Sequence, residues 1–430
     1  MRGYTSHMSA DLFRDMPFDN ILKCVHCGLC LDACPTYRET GAEQESPRGR
    51  LYLMRGLWEG ELEPEPGVIA PLQRCLDCRA CESACPSGVP YGELLEKARA
   101  VVKPHQKGSR ITRFMVDFFL KRILPSDGAL LWSSRIGRMW QASGLDRLAT
   151  KLLPRSMARM QLLMPGFSGQ SYKKKVLKEE AAIIPTVALF SGCIMDVAEA
   201  EIHQASVNLL KLAGYQVAVP PNQTCCGALQ VHGGDRQTAS KLATKNLEVL
   251  GKEHFDAIIV NSAGCGAQLK EYHHLLDEES DTCHAFSQKV HDLLEFLATR
   301  PQFVSANSWK EEPVTVLYDA PCHLIHAQKI DNKPRSLLAS LPGVNLVTPN
   351  ESSRCCGAAG IYNLLHETMA EQVLGRKMDD LEATLANHPS ATILLTANPG
   401  CLFQLRYGVS RRKLPLQVMH PAVFLEQRCR

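Results

Sequence analysis

The chain has 430 residues, 45% of them hydrophobic and 22% charged, with a net charge of +3. That length exceeds one ordinary core, and the balance excludes a disordered or fibrous chain. No apolar run approaches the about 18–20 residues of a membrane span. Residues 1–19 hold no signal-like apolar stretch, so a cytoplasmic protein is expected. Eighteen cysteines are many for such a chain, and in a reducing compartment they read as metal ligands.

Residues 1–20 are expected to form an arm or short helix leading into Cys24-Val-His-Cys27-Gly-Leu-Cys30-Leu-Asp-Ala-Cys34-Pro35. The same C-x2-C-x2-C-x3-C-P pattern returns as Cys75-Leu-Asp-Cys78-Arg-Ala-Cys81-Glu-Ser-Ala-Cys85-Pro86. Three thiolates at i, i+3 and i+6 wrap three corners of an iron–sulfur cubane. The fourth cysteine starts a helix that points away, and so reaches the other cluster. The expected sets are Cys24, Cys27, Cys30 and Cys85 for one [4Fe–4S] cluster, and Cys75, Cys78, Cys81 and Cys34 for the second. Structural zinc would ask for two cysteine pairs, not runs of four closed by proline. Pro35 and Pro86 each suit a helix start.

Between the runs, Arg48 and Arg50 either donate to cluster sulfurs or partner carboxylates, or stay solvated. Arg74, Arg79 and Arg48 are further groups near the cysteine loops that would tune a cluster. Residues 91–102 have helical periodicity and should pack back on the clusters. Residues 1–102 are thus expected to be a helical, two-cluster ferredoxin-type domain.

Residues 103–184 are a basic amphipathic segment; 103–178 alone carry 16 Lys and Arg against three Asp. Short helices mixing aromatics, methionines and arginines suit an anionic bilayer surface. They equally suit an acidic partner subunit, or a linker whose basic face is solvated. No nucleic-acid recognition motif accompanies the charge.

From residue 186 the texture becomes β–α alternation. Strands are expected at 186–193, 216–220 and 257–261, with helices at 198–212 and 236–250 between them. Cys193, Cys225-Cys226-Gly227 and Cys265 follow those strands. A second copy has strands at 314–322, 344–347 and 391–398 with Cys322, Cys355-Cys356-Gly357 and Cys401, then a last strand and helix at 416–419 and 422–427. Two copies make a duplicated parallel α/β domain, divided here as 185–310 and 311–430. The overall class is therefore multidomain, α followed by α/β. Such folds place sites at the carboxyl ends of strands, so all eight cysteines should converge in two pockets or one shared cleft.

A third iron–sulfur site from Cys193, Cys225, Cys226 and Cys265, or from Cys322, Cys355, Cys356 and Cys401, is one reading. Cysteines that merely pack are the other. His323 and His326 stand beside Cys322, as ligands, proton donors, or packing and capping groups. Cys283 and Cys429 lie outside both repeats. No Gly-rich dinucleotide fingerprint or flavin motif is present.

The whole pattern resembles the iron–sulfur subunit of bacterial glycolate oxidase, down to Cys34-Pro-Thr-Tyr37, Pro47-Arg-Gly-Arg-Leu-Tyr52, Cys81-Glu-Ser-Ala-Cys85-Pro-Ser-Gly88 and Ser262-Ala-Gly-Cys265. It is also similar to iron–sulfur subunits of lactate utilisation and anaerobic glycerol-3-phosphate dehydrogenase, and to heterodisulfide reductase. In the last, a further cysteine stands where this chain has Gln268 and Gln404. The resemblance implies an electron-transfer subunit with no catalytic residue of its own. It implies FAD on partner flavoprotein subunits that oxidise a 2-hydroxy acid, and an exit to a quinone or another membrane acceptor. It places the protein in the cytoplasm or peripherally on the cytoplasmic face of the inner membrane. The related alternative is a disulfide or quinone reductase built on the cysteine-cysteine-glycine domain.

Overall fold

A computed structural model describes residues 17–106, 109–175, 186–251, 255–276, 281–300 and 302–429. Residues 1–16 and 176–185, on which part of the expected arm and basic segment falls, lie outside the described residues.

The N-terminal unit is helical, as expected. Cys34 takes an extended backbone between the helices Cys30–Ala33 and Pro35–Thr40, and Pro35 opens the second of these. Ser46 caps Pro47–Glu59 by accepting from Gly49 N. Met54, Leu57, Leu72 and Leu94 close a small core beneath both cysteine runs. Pro86 behaves differently from Pro35. The chain turns at Gly88, in the left-handed region at φ 63°, and the helix begins only at Tyr91. Gly88 and Pro90 interpose a turn where the first run continues directly into a helix.

Two four-stranded parallel sheets follow. The strands are β1 (Thr186–Phe190), β2 (Gln216–Ala218), β3 (Ala257–Val260), β4 (Val290–Asp292), β5 (Val314–Tyr318), β6 (Val344–Val347), β7 (Ala391–Leu395) and β8 (Gln417–Met419). The orders β2-β1-β3-β4 and β6-β5-β7-β8 are the same, which establishes the duplication. Alternate residues face opposite ways. Val187, Leu189 and Ile259 enter a core shared with the second sheet, while Ala188, Phe190, Ile258 and Val260 enter a separate one. Both faces are covered, as parallel sheets require.

The repeat unit is longer than the sequence pattern suggests. Besides the expected elements, the first copy contains β4 and the helix Leu293–Ala298, matching β8 and Pro421–Arg428. Asp292 caps one of these helices and His420 the other. Three residues, Val-His-Asp, are too short for a period-2 signal.

The basic segment is helical, as expected, and it is packed rather than free. Leu120, Leu124 and Leu130 belong to the core of the first repeat. Gln230 Nε2 donates to Leu120 O at 2.9 Å, and Lys173 Nζ reaches Asp127 at 2.7 Å and Gln223 O at 2.9 Å.

Candidate iron–sulfur sites

The two N-terminal cysteine loops share one backbone device. His26 and Gly28 flank Cys27, and Asp77 and Arg79 flank Cys78, all with positive φ. Left-handed residues on either side of the second cysteine curl each loop tightly, at a cost in strain for the three that are not glycine. Burial then divides the eight cysteines. Cys34, Cys75, Cys78 and Cys81 are buried; Cys24, Cys30 and Cys85 are half-buried, and Cys27 is exposed. Burial pushes the Cys78 and Cys81 thiols well up, and each also feels Cys75 and Cys34. Thiols in that state give up protons to a cation rather than to water.

Donors aim at the buried group. Arg50 Nη1 points at Cys34 Sγ from 3.8 Å and Tyr91 Oη at Cys75 Sγ from 3.6 Å. Of Arg48 and Arg50, Arg50 is the sulfur donor. Arg48 instead holds Glu43 at 2.7 Å and His26 O at 3.2 Å. None of these eight cysteines is in a disulfide. Clustered, unbridged thiols with donors directed at sulfur fit four-thiolate clusters.

The second cysteine set lies where the fold argument put it. Cys193 follows β1, Cys225 and Cys226 follow β2, and Cys265 sits in the first turn of the helix Ala263–Lys270 after β3. Cys193 Sγ is 3.5 Å from Cys225 Sγ. In each tetrad the two middle thiols, Cys225 and Cys226 in one and Cys355 and Cys356 in the other, have their acidity set chiefly by the thiols on either side. Thiol donors on either side hold Cys225 and Cys356 well below the ordinary thiol range, and the buried Lys173 and Lys377 ammonium groups add to this. Gly227 and Gly357, at φ 92° and 87°, let these loops lie against the helices behind them; a Cβ on Gly357 would stand 2.7 Å from Ala370 O.

Both tetrads open into one cavity of about 400 Å³, lined by all eight of their cysteines. Its wall is mostly apolar and includes Leu130, Met160, Met164 and Phe167 of the basic segment, which the sequence pattern did not place there. His232 and His323 are the histidines on it. Gln268 and Gln404 are buried and line no part of it; Gln404 Oε1 accepts from Asn363 at 2.9 Å. Neither Cys283 nor Cys429 lines the cavity.

The N-terminal unit is seated beside that cavity. Cys78 shares a buried group with Leu76, Cys355 and Tyr362, against which Cys322 packs. His323 Nε2 meets Asp77 O at 2.8 Å, and His326 bridges Ser83 Oγ at 2.8 Å and Ser353 O at 2.9 Å. Both histidines therefore fasten one unit to the other. Burial, with His232 and Arg79 nearby, pulls His323 down to about 4.

A polar cluster invisible in the sequence lies at the same junction. Asp77 is fully enclosed by His232 at 2.8 Å, Arg79 at 3.9 Å and Arg99 at 4.0 Å. Burial alone would raise its carboxyl, but these neighbours hold it well below the usual range. Glu96, 3.0 Å from Arg79, is pushed up to about 7 by burial against that arginine's pull. The one available signal was a charged residue inside a cysteine loop at a position that takes a left-handed turn.

Comparison with known proteins defines the class first. Residues 20–89 match the 4Fe-4S dicluster domain, and 187–270 and 316–406 both match the cysteine-rich domain built on the cysteine-cysteine-glycine motif. The chain is 37% identical over 410 residues to the probable glycolate oxidase iron–sulfur subunit of Bacillus subtilis, covering 92% of this chain and 90% of that one. To the glycolate oxidase iron–sulfur subunit of Escherichia coli it is 30% identical, over 90% of both chains. Lactate utilization protein A of Bacillus licheniformis is 26% identical over 56% of this chain and 99% of its own length. The chain belongs to the glycolate oxidase iron–sulfur subunit family. The fold class and the presence of iron–sulfur clusters read from the sequence hold.

Proposed function

We propose that this chain is the electron-transfer subunit of a multi-subunit 2-hydroxy-acid dehydrogenase, with glycolate as the substrate oxidised on a partner flavoprotein. The reading follows the family and rests on one observation above all. Cys78 of the buried N-terminal group packs with Cys322 and Cys355 of the second repeat, so the two cysteine systems are continuous.

Cys24, Cys27, Cys30 and Cys85 hold one [4Fe–4S] cluster, and Cys34, Cys75, Cys78 and Cys81 the other; the division by burial supports this crossed pairing. The tetrads Cys193, Cys225, Cys226, Cys265 and Cys322, Cys355, Cys356, Cys401 hold a further iron–sulfur site. When bound, these groups supply one-electron redox steps between a two-electron donor and a two-electron acceptor. The chain's own part is to order the thiols from surface to cavity. Cys27 is exposed, with Val25, Leu29, Leu22 and Tyr52 as an exposed apolar rim, which suits docking of the donor subunit. At the far end, the apolar cavity suits a quinone as acceptor. A lipid-soluble acceptor brings the protein to the cytoplasmic face of the inner membrane as a peripheral protein.

The test uses the anaerobically purified complex with glycolate and a soluble menaquinone analogue. Cys322→Ser should leave glycolate-dependent reduction of the N-terminal centres intact while abolishing reduction of the analogue. Unchanged quinone reduction would defeat the proposed route.

A further inference from the structure

Four helices between residues 110 and 162 turn their apolar side outward. In Arg110–Phe118 the residues Ile111, Phe114, Met115 and Phe118 recur at helical spacing and all are exposed, Ile111 by 76%, while no residue of that helix is buried. In Asp127–Ala142 the buried face is Leu130, Ser134 and Gly137, and the exposed face is Trp132, Ile136, Met139 and Trp140. Leu145, Leu148 and Leu152 project from Leu145–Leu152, where only Ala149 is buried. Met157, Met160 and Leu162 project from Arg155–Leu162. A helix of a soluble protein points such stripes at its core. Here the stripe faces away from the core, and apolar exposure on this scale marks a surface that meets something else.

The charge on the same helices says what. Arg110, Arg122, Arg147 and Lys151 are exposed and, among the described residues, have no carboxylate partner. The carboxylates of the segment are already engaged or set back: Asp117 lies 3.2 Å from Lys103 and 3.7 Å from Lys121, Asp127 pairs with Lys173, and Asp146 is half-buried. An acidic protein would need carboxylates in register with cations scattered over several helices, whereas a fluid anionic lipid surface meets any spacing. Met160 and Met164 belong both to this exposed face and to the lining of the cysteine cavity.

We propose that residues 110–164 lie on an anionic bilayer, with the apolar stripes at the acyl boundary and the arginines and lysines among the headgroups. This sets the cavity mouth at Met160 and Met164 against lipid, where a lipid-soluble acceptor enters without crossing water. The purpose rests on the function proposed above, but the binding itself does not.

The experiment is cosedimentation of the intact, cluster-loaded protein with phosphatidylcholine vesicles, with and without phosphatidylglycerol. Phosphatidylglycerol should tighten binding by roughly tenfold or more, and added salt should reverse it. Ile111→Asp with Phe114→Asp, and separately Arg147→Glu with Lys151→Glu, should each weaken binding by roughly tenfold. Iron content and cluster absorbance, unchanged in both, would show that the fold is intact; the charge pair is exposed and touches no core. Wild-type protein that ignores phosphatidylglycerol, or variants that bind as well as wild type, would overturn the proposal. So would variants that lose the flavoprotein subunits while keeping lipid, which would assign the face to a protein. Reduction of a soluble quinone analogue without vesicles reads the electron-transfer proposal separately.

Discussion

Arg50, with no exposed surface, directs Nη1 at the Sγ of Cys34 from 3.8 Å while its other nitrogens donate to Pro71 O at 2.7 Å, Thr36 Oγ1 at 3.0 Å and Glu45 Oε2 at 2.8 Å. Only a planar fork can serve four acceptors at once. Arg50→Met removes the fork and leaves Glu45 with Arg74 alone, a loss of about 3 kcal/mol in urea denaturation. Taking a cation away from thiolates also favours the oxidised centre, so one reduction potential should fall in a redox titration. Arg50→Lys should give a smaller change in both.

Serine substitutions should sort the eight N-terminal cysteines by burial rather than by sequence run. Cys30→Ser and Cys85→Ser should remove the same low-temperature electron paramagnetic resonance signal, and Cys34→Ser and Cys75→Ser the other. If Cys30→Ser and Cys34→Ser damage one signal in common, the pairing across runs is wrong.

Iron and acid-labile sulfide should reach about twelve per chain in anaerobic protein, above the about eight of two cubanes. Cys401→Ser should lower that count without touching the N-terminal signals. A wild-type value near eight would leave the tetrads as thiol sites only.

Gly357→Ala should be far more damaging than Gly227→Ala. Both place a Cβ on a left-handed residue, which costs about 1 kcal/mol. At Gly357, however, the new atom meets Ala370 O at 2.7 Å, whereas at Gly227 the nearest atoms are at 3.4 Å. Thermal melting compares the two directly.

Asp292 gives the protein a pH dependence of known sign. Burial raises its carboxyl to about 6 against the hydrogen bonds from Leu294 and Glu295. The folded chain therefore keeps this proton between about pH 4 and 6 where the unfolded chain has lost it. Its contribution is full below that window and is lost as pH rises through 6, by roughly 3 kcal/mol. Asp292→Asn should flatten that part of a stability–pH curve.

The features that sequence conveyed well are those written in short spacings. The two cysteine runs, the cysteine-cysteine-glycine pairs and seven of eight strands stand out because each is written within a few neighbouring residues. The strand β4 escaped because three residues carry no period, and Pro86 misled because Gly88 intervenes. What the sequence could not convey is long-range adjacency. Nothing near Asp77 announces His232, and nothing in Leu130 or Phe167 announces a cavity between two later repeats. Of the roles open to His323 and His326 beside Cys322, packing is the one their contacts display, and those partners, Asp77 and Ser83, lie far back in the chain.

The contrast between exposed Cys27 and the buried Cys34, Cys75, Cys78 and Cys81 should also set the order in which air damages the two proposed N-terminal clusters. Dioxygen and peroxide reach the outermost thiols first, while Cys34, Cys75, Cys78 and Cys81 are shielded by the packed helices around them. Brief aerobic handling should therefore strip the outer centre and leave an inactive protein that is still coloured. In that state the proposed docking face carries oxidised sulfur, and a thiol reductant, iron and sulfide supplied together should rebuild the outer centre and return electron transfer.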